Sequence, residues 1–396
     1  MDLRDGRAFR PSLFFSFKSA FFLFLLVFAG FLPPAFAQYP ASFNPATLAQ
    51  GTNSAFFDMK GFGADDAVPL EAIFLNKGWN GPFSPHDTNH LDMFWNSDVG
   101  VSYKTWRLAA IYRGELFLQA NRDAIELLRM IELKQNLPVG KTFNVNLNAR
   151  GFAAEGLEVS KGFDLSPLGI KGLSIGVTAR YLKGQMIQQG SLTGTVVPQT
   201  AKSYDFNLFL DYVYNHNYIY NRPDTVPGTG DGYSFDIGLK YVLNPSLSGE
   251  LIVRDLLGRI YWHKTPFTTA TATSQTKFFD ENGYMQFRPT ISGYESYKDF
   301  TQYIPLKTDA TITYTLGRFQ AIPTVTFIEY ERPLYWIDAG YRLTREMALN
   351  LGYNFNYNAV SAGFAYGPFS FGIYGNSVDL ARVSALGVNL ALMVPW

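Results

Sequence analysis

Counting back in twos from Trp396 gives Val394, Leu392, Leu390, Val388 and Leu386, all apolar. The alternate positions, Met393, Ala391, Asn389, Gly387 and Ala385, are mostly small or polar. A period of two means a β-strand with one apolar face. The alternation recurs upstream. Phe143, Val145, Leu147 and Ala149 oppose Asn144, Asn146, Asn148 and Arg150. Tyr204, Phe206, Leu208, Leu210, Tyr212 and Tyr214 oppose Asp205, Asn207, Asp211 and Asn215. Tyr233 to Leu243, Tyr335 to Leu343 and Met347 to Phe355 repeat the theme, with aromatics gathered at the stripe ends. A soluble sandwich can show single stripes of this kind. Many stripes of about ten residues fit the strands of an outer-membrane barrel. The expected fold is therefore all-β: a transmembrane, antiparallel, up-and-down β-barrel of about 14 strands (range 12–16). The count is open because 172–197 is too long for one ordinary strand.

Tight turns at 244–246, 344–346, 356–358 and 367–368 separate stripes, while 221–232 and 264–300 read as surface loops. One segment departs from the β pattern. Asn121 to Asn136 reads as a helix, with Asn121 as cap, Ala124, Leu127, Leu128 and Ile131 on one face, and Leu137-Pro138 as the stop. It is expected to be a loop helix, either covering exposed aromatics or lying over the mouth as a lid.

Residues 1–37 carry the marks of a secretory leader. Arg4, Arg7, Arg10 and Lys18 precede the apolar run 21–32, and Ala35-Phe36-Ala37 offers a cleavage site. The run is short for a spanning helix, which needs about 20 residues. The expected organisation is thus a signal peptide at 1–37, an N-terminal plug at 38–66 and the barrel at 67–396, placed in the outer membrane. The terminal strand, with Leu390, Leu392, Val394 and Trp396 leading to the last residue, resembles the signal read by barrel-assembly machinery; Pro395 departs mildly from that pattern.

Aromatics make up 16% of the chain, with 35 Phe and 24 Tyr, which suits interfacial girdles. There is no cysteine, so no disulfide or thiolate metal site exists. Lys+Arg and Asp+Glu balance at 33 each, and no basic run suggests nucleic acid. Four histidines are present. His86 and His90 stand four apart, but in a Pro- and Gly-rich stretch where no helix aligns them as ligands. No G-x-S-x-G occurs. Neither a catalytic centre, a metal site nor a cofactor is expected.

Ser42 to Ala49 reads S-F-N-P-A-T-L-A. Here the chain resembles the superfamily of the outer-membrane long-chain fatty-acid transporter, whose N-terminal segment carries Asn-Pro-Ala and plugs the barrel. Asn44, Pro45, Ala46 and Leu48 match that motif. Asp255, Leu256, Gly258, Ile260 and Trp262 approximate a second pattern seen in this group. The resemblance implies a plugged barrel that passes a small hydrophobic molecule among outer-membrane lipids. By alternation, Asp205, Asp211, Asp236, Lys240, Asp338 and Arg342 face the lumen, with Glu250 and Arg254. They suit either a polar path or an internal ion-pair network. The alternative function is a non-transporting surface barrel whose loops and helix dock a partner.

Overall fold

A computed structural model describes residues 43–200, 203–215, 227–279, 281, 285–287 and 290–396. The leader, His216 and residues 221–226 lie outside that set. The strands are β1 (Ser54–Asp65), β2 (Thr88–Tyr103), β3 (Trp106–Asn121), β4 (Phe143–Asp164), β5 (Leu173–Thr200) and β6 (Ser203–Tyr214). They continue with β7 (Thr229–Asn244), β8 (Leu247–Thr273), β9 (Lys277–Phe279), β10 (Met285–Phe287), β11 (Ile291–Tyr303) and β12 (Lys307–Leu316). The last six are β13 (Phe319–Ile328), β14 (Leu334–Arg342), β15 (Met347–Asn354), β16 (Ala359–Tyr366), β17 (Phe369–Gly375) and β18 (Ala385–Pro395).

Every neighbouring pair is antiparallel, and β1 pairs with β18 to close the ring. Among the described residues sixteen strands share this sheet, with β9 and β10 apart as a small hairpin. They occupy fourteen positions around the barrel. Two positions are each shared by two strands. Between β5 and β8 stand β7 near one rim and β6 near the other. Along the other edge of β8, β12 is followed by β11. The stretch 172–197, which resisted division in the sequence, is one long strand, β5, bulged between Gly184 and Met186.

The turn at 356–358 lies at one rim. Those at 244–246, 344–346 and 367–368 and the end of β18 lie at the other, called here the lower rim, which in outer-membrane barrels is periplasmic. The fold is consistent with that location. Alternation decides which side chains face outward. On β14, Leu334, Trp336 and Asp338 are buried inward while Tyr335, Ile337 and Tyr341 are exposed. On β18, Ala385, Gly387 and Asn389 are buried, and Leu386 opposes them on the outside. Leu390, Leu392 and Val394 continue that outer stripe, half-buried, and Trp396 is exposed. Leu351 is 62% exposed in the middle of β15. Leu351→Arg is accordingly expected to cost about 2–4 kcal/mol, read by urea unfolding from lipid vesicles. A cost near zero would show that this face does not meet hydrocarbon.

Four expectations need correction. Residues 264–273 and 291–300, expected as loop, are strand in β8 and β11. The barrel begins at Ser54 and not at 67, because Ser54–Asp65 pairs with both β18 and β2. Gly61 and Gly63, with Asp58 and Lys60 on the inner face, hide the alternation of Phe57 and Met59. Phe143 and Val145 lie opposite the inward Arg150 and Phe152, yet are buried under a helix and not bare to lipid. That helix, after the short α1 (Leu70–Leu75), is α2 (Arg122–Glu132). Asn121 caps it, its Oδ1 accepting from the Ala124 amide at 3.3 Å. Its buried face is Ala124 and Leu127, with Ile125 and Met130 partly buried, whereas Leu128 and Ile131 are exposed. It ends at Glu132, short of Pro138, where Lys134 turns left-handed at φ 53°.

Candidate functional site

The inner face of β5, followed up from the lower rim, runs Gly176, Thr178, Arg180, Leu182, Gly184 and Ile187. These residues sample three stacked layers of the lumen.

The lowest layer holds the N-terminal segment. Pro45–Gln50 forms a 3-10 turn capped by Asn44, whose Oδ1 accepts from the Ala46 amide at 3.0 Å. Proline is at home in the first turn because it lacks the N–H that would go unpaired there. Asn44 Nδ2 donates to the Leu239 carbonyl at 3.0 Å and to Glu250 at 2.9 Å. Asn44, Ala46 and Leu48 are buried. The wall accommodates the segment because Gly162, Gly176 and Gly238 pair side by side across β4, β5 and β7. A Cβ on Gly176 would stand 2.2–2.5 Å from Pro45 and Ala46 backbone atoms. A Cβ on Gly162 would meet the Ala49 amide nitrogen at 2.4 Å, and one on Gly238 the Asn44 side chain at 2.1 Å. Three absent side chains thus make a groove of backbone, and the four residues of the Asn-Pro-Ala-x-Leu match lie in it.

Above it is a layer of charge. Arg107, under the rings of Phe43 and Phe56, pairs with Asp98 at 3.0 Å and with Glu158. Arg180 joins Glu158 at 2.8 Å and Asp236 at 2.5 Å. Asp255 receives Arg113 at 2.6 Å and Lys307 at 3.0 Å, and Glu115 also receives both. Arg254 pairs with Asp309 at 2.8 Å. Lys307 is 0% exposed. Buried charges persist only when paired and hydrogen-bonded. The chain of pairs runs through β2, β3, β4, β5, β7, β8 and β12, so it bars a straight polar path.

The upper layer is apolar. Leu182, Ile187, Phe152, Val213, Ile260 and Trp262 cluster on the inner face. The Trp262 ring lies flat on the wall, since a Cβ on Gly184 or Gly230 would come within 2.9 Å of it. Its Nε1 donates to Gln302 at 3.0 Å, and Gln302 donates to the Gly151 carbonyl at 2.9 Å. This patch backs the place where the wall is interrupted. On β5, Gly184 pairs with Gly230 of β7 and Gln188 with Tyr214 of β6, so the partner strand changes between these two points.

The expected lumen charges divide among these surroundings. Asp236 and Lys240 are ion-paired, Lys240 to Glu250 at 3.0 Å beside Asn44. Asp338 is buried apart from the layer, facing a small polar pocket with Asn350, Ser361 and Tyr374. Asp205 and Asp211 are exposed in the upper extension of the wall, and Arg342 is exposed near the lower rim. None of those three joins the layer.

No family model and no curated protein matches the chain. Similar solved structures are barrels. A monoaromatic hydrocarbon channel, a TodX deletion mutant, is 10% identical over 92% of this chain and 96% of its own, with a TM-score of 0.49. The toluene transporter TodX of P. putida is 9% identical over 89% and 92%, at 0.46. A Pseudomonas aeruginosa FadL homologue is 12% identical over 88% and 91%, at 0.23.

Residues that sequence reasoning passed over dominate the charge layer: Arg107, Arg113, Glu115, Glu158, Arg180 and Lys307. Arg113, Glu115, Glu158 and Arg180 alternate with apolar neighbours, a signal that was there to read. Lys307 had none, because it follows the Ile304-Pro305-Leu306 break. A second set was also missed. His90 and Asp92, two apart on one face of β2, meet Glu331 from the 329–333 connection. Tyr357 donates to Asp92, and burial and that carboxylate both raise its phenol well above the usual range, keeping it a donor.

Proposed function

We propose that the barrel passes a small apolar molecule, taken up at the upper mouth and released sideways through the interrupted wall. The observation that carries this reading is the apolar patch around Trp262, directly behind the interruption between β6 and β7. An apolar solute gains by leaving water for such a surface and loses by crossing a layer of paired charges. A side exit above the charge layer avoids that loss. The N-terminal segment at Asn44–Leu48 then closes the lower lumen to water and ions. Outer-membrane lipid and barrel-assembly machinery are the partners this reading implies, and no catalytic step is required.

The test is mass spectrometry of small molecules copurifying with the mature protein, beside flux of an apolar dye into vesicles bearing it. Deleting 38–66 would remove β1 and open the ring, so the informative variants are a deletion of 43–50 and Trp262→Ala. Apolar compounds enriched on the intact protein, with retention or flux altered at least about tenfold in Trp262→Ala, a shift of about 1.4 kcal/mol, are the expected result. Only bulk lipid on both proteins, with no dye flux, would sink the proposal. The second reading, a surface barrel that docks a partner, would then lead. It draws on the exposed Leu128 and Ile131 of α2.

A further inference from the structure

We propose that His90, Asp92 and Glu331 bind a divalent transition-metal ion of the zinc type at the upper mouth. The three offer one imidazole nitrogen and two carboxylate oxygens, all within 4.8 Å of one another. His90 Nδ1 already stands 3.4 Å from Glu331 Oε2. Their origins are far apart in the ring. His90 and Asp92 share a face of β2, while Glu331 comes from the connection between β13 and β14, six positions away around the ring.

Two observations point to a cation. Asp92 is 2% exposed; Tyr357 occupies its Oδ2, and its Oδ1 has no hydrogen-bond partner among the described residues. A buried carboxylate oxygen left unpaired is costly unless something positive reaches it. The surrounding charge is also unbalanced. Asp65 and Asp66 stand beside the set, and among the described residues the facing Lys or Arg is Arg332, 2.9 Å from Asp66 and stacked on Tyr357. Asp65 is already spoken for by the amides of Ala67 and Val68, at 2.8 and 2.7 Å. Four carboxylates against one guanidinium leave room for a dication.

The chemistry of the donors selects the class. Mixed imidazole and carboxylate ligation suits zinc, whereas calcium and magnesium prefer oxygen alone. Outer partners are in place to orient the ligands. Gln119 Nε2 donates to Glu331 Oε2 at 2.7 Å, and Tyr357 fixes the Asp92 carboxylate. The bound ion would tie the 329–333 connection to β2.

Isothermal titration of the mature protein in detergent with zinc chloride tests the assignment. One saturable site per chain is expected. Loss of an outer partner typically weakens metal binding about 10–100-fold, so His90→Ala and Glu331→Gln should exceed about 100-fold. Tyr357→Phe should fall near 10-fold. Glu331→Gln keeps a partner for Gln119, and circular dichroism identifies any variant that fails to fold. The proposal is overturned if the intact protein shows no saturable zinc site. It is equally overturned if folded His90→Ala binds as before, or if calcium displaces zinc at equal concentration.

Discussion

Replacing Asp255 by alanine lowers the stability of the barrel by about 3–5 kcal/mol, the range found when one partner of a buried ion pair is removed. Asp255 is fully buried and holds two cations, Arg113 and Lys307. Its loss strands both in a layer where neither reaches water. Glu115 remains beside them, but one carboxylate cannot offset two cations. The measurement is urea unfolding from lipid vesicles, followed by tryptophan fluorescence. Asp211→Ala is the matched comparison, because Asp211 is exposed and should change stability by less than about 0.5 kcal/mol. A loss below about 1 kcal/mol at Asp255 would mean that water enters the charge layer in the membrane.

Gly176→Val is expected to expel the N-terminal segment while leaving the ring intact. The backbone at Gly176 is ordinary extended strand, where valine fits well. The added Cβ, however, would lie 2.2 Å from the Pro45 carbonyl carbon and 2.3 Å from the Ala46 amide nitrogen. Both neighbours are main chain, so neither can swing aside as a flexible side-chain tip would. Chymotrypsin has Phe43 and Leu48 to cut in this segment. Cleavage there should speed up at least about tenfold, matching a loss of about 1.4 kcal/mol in the seated state. Gly249→Ala is the control, since its methyl would find only the Thr311 carbonyl at 3.9 Å. Unchanged cleavage in Gly176→Val would show that the segment is not held by the glycine row.

The sequence was most informative where one face of the wall points outward and is apolar. On β14, β15 and β18 the stripes report which side chains point out, because hydrocarbon outside and packed polar groups inside leave little freedom at either position. The same rule lost its grip toward the upper rim. Phe143 and Tyr212 alternate as lipid-facing residues do, but in the upper extension their face is buried, that of Phe143 beneath α2. Alternation tells two faces apart; it does not say what covers each. The site was legible in part. Asn44-Pro45-Ala46-x-Leu48 stood out by resemblance, yet the groove that receives it is three glycines on three strands, joined only by register. Asp255 and Trp262 were visible as members of a motif, while their roles depend on partners as distant as Arg113 and Gln302. His90 and Asp92 were missed because helical spacing was sought, whereas on a strand the relevant spacing is two.

The seam between β1 and β18, with Ala64 opposite Ala385, joins the beginning of the barrel to its end. No local contact can nucleate it, so its formation waits on the synthesis and ordering of everything between. Until then β1 offers an unpaired edge to any passing strand. A chain cut short before Ala385 therefore loses more than one strand. It becomes an open sheet with two sticky margins, destined for capture by a chaperone, digestion or aggregation.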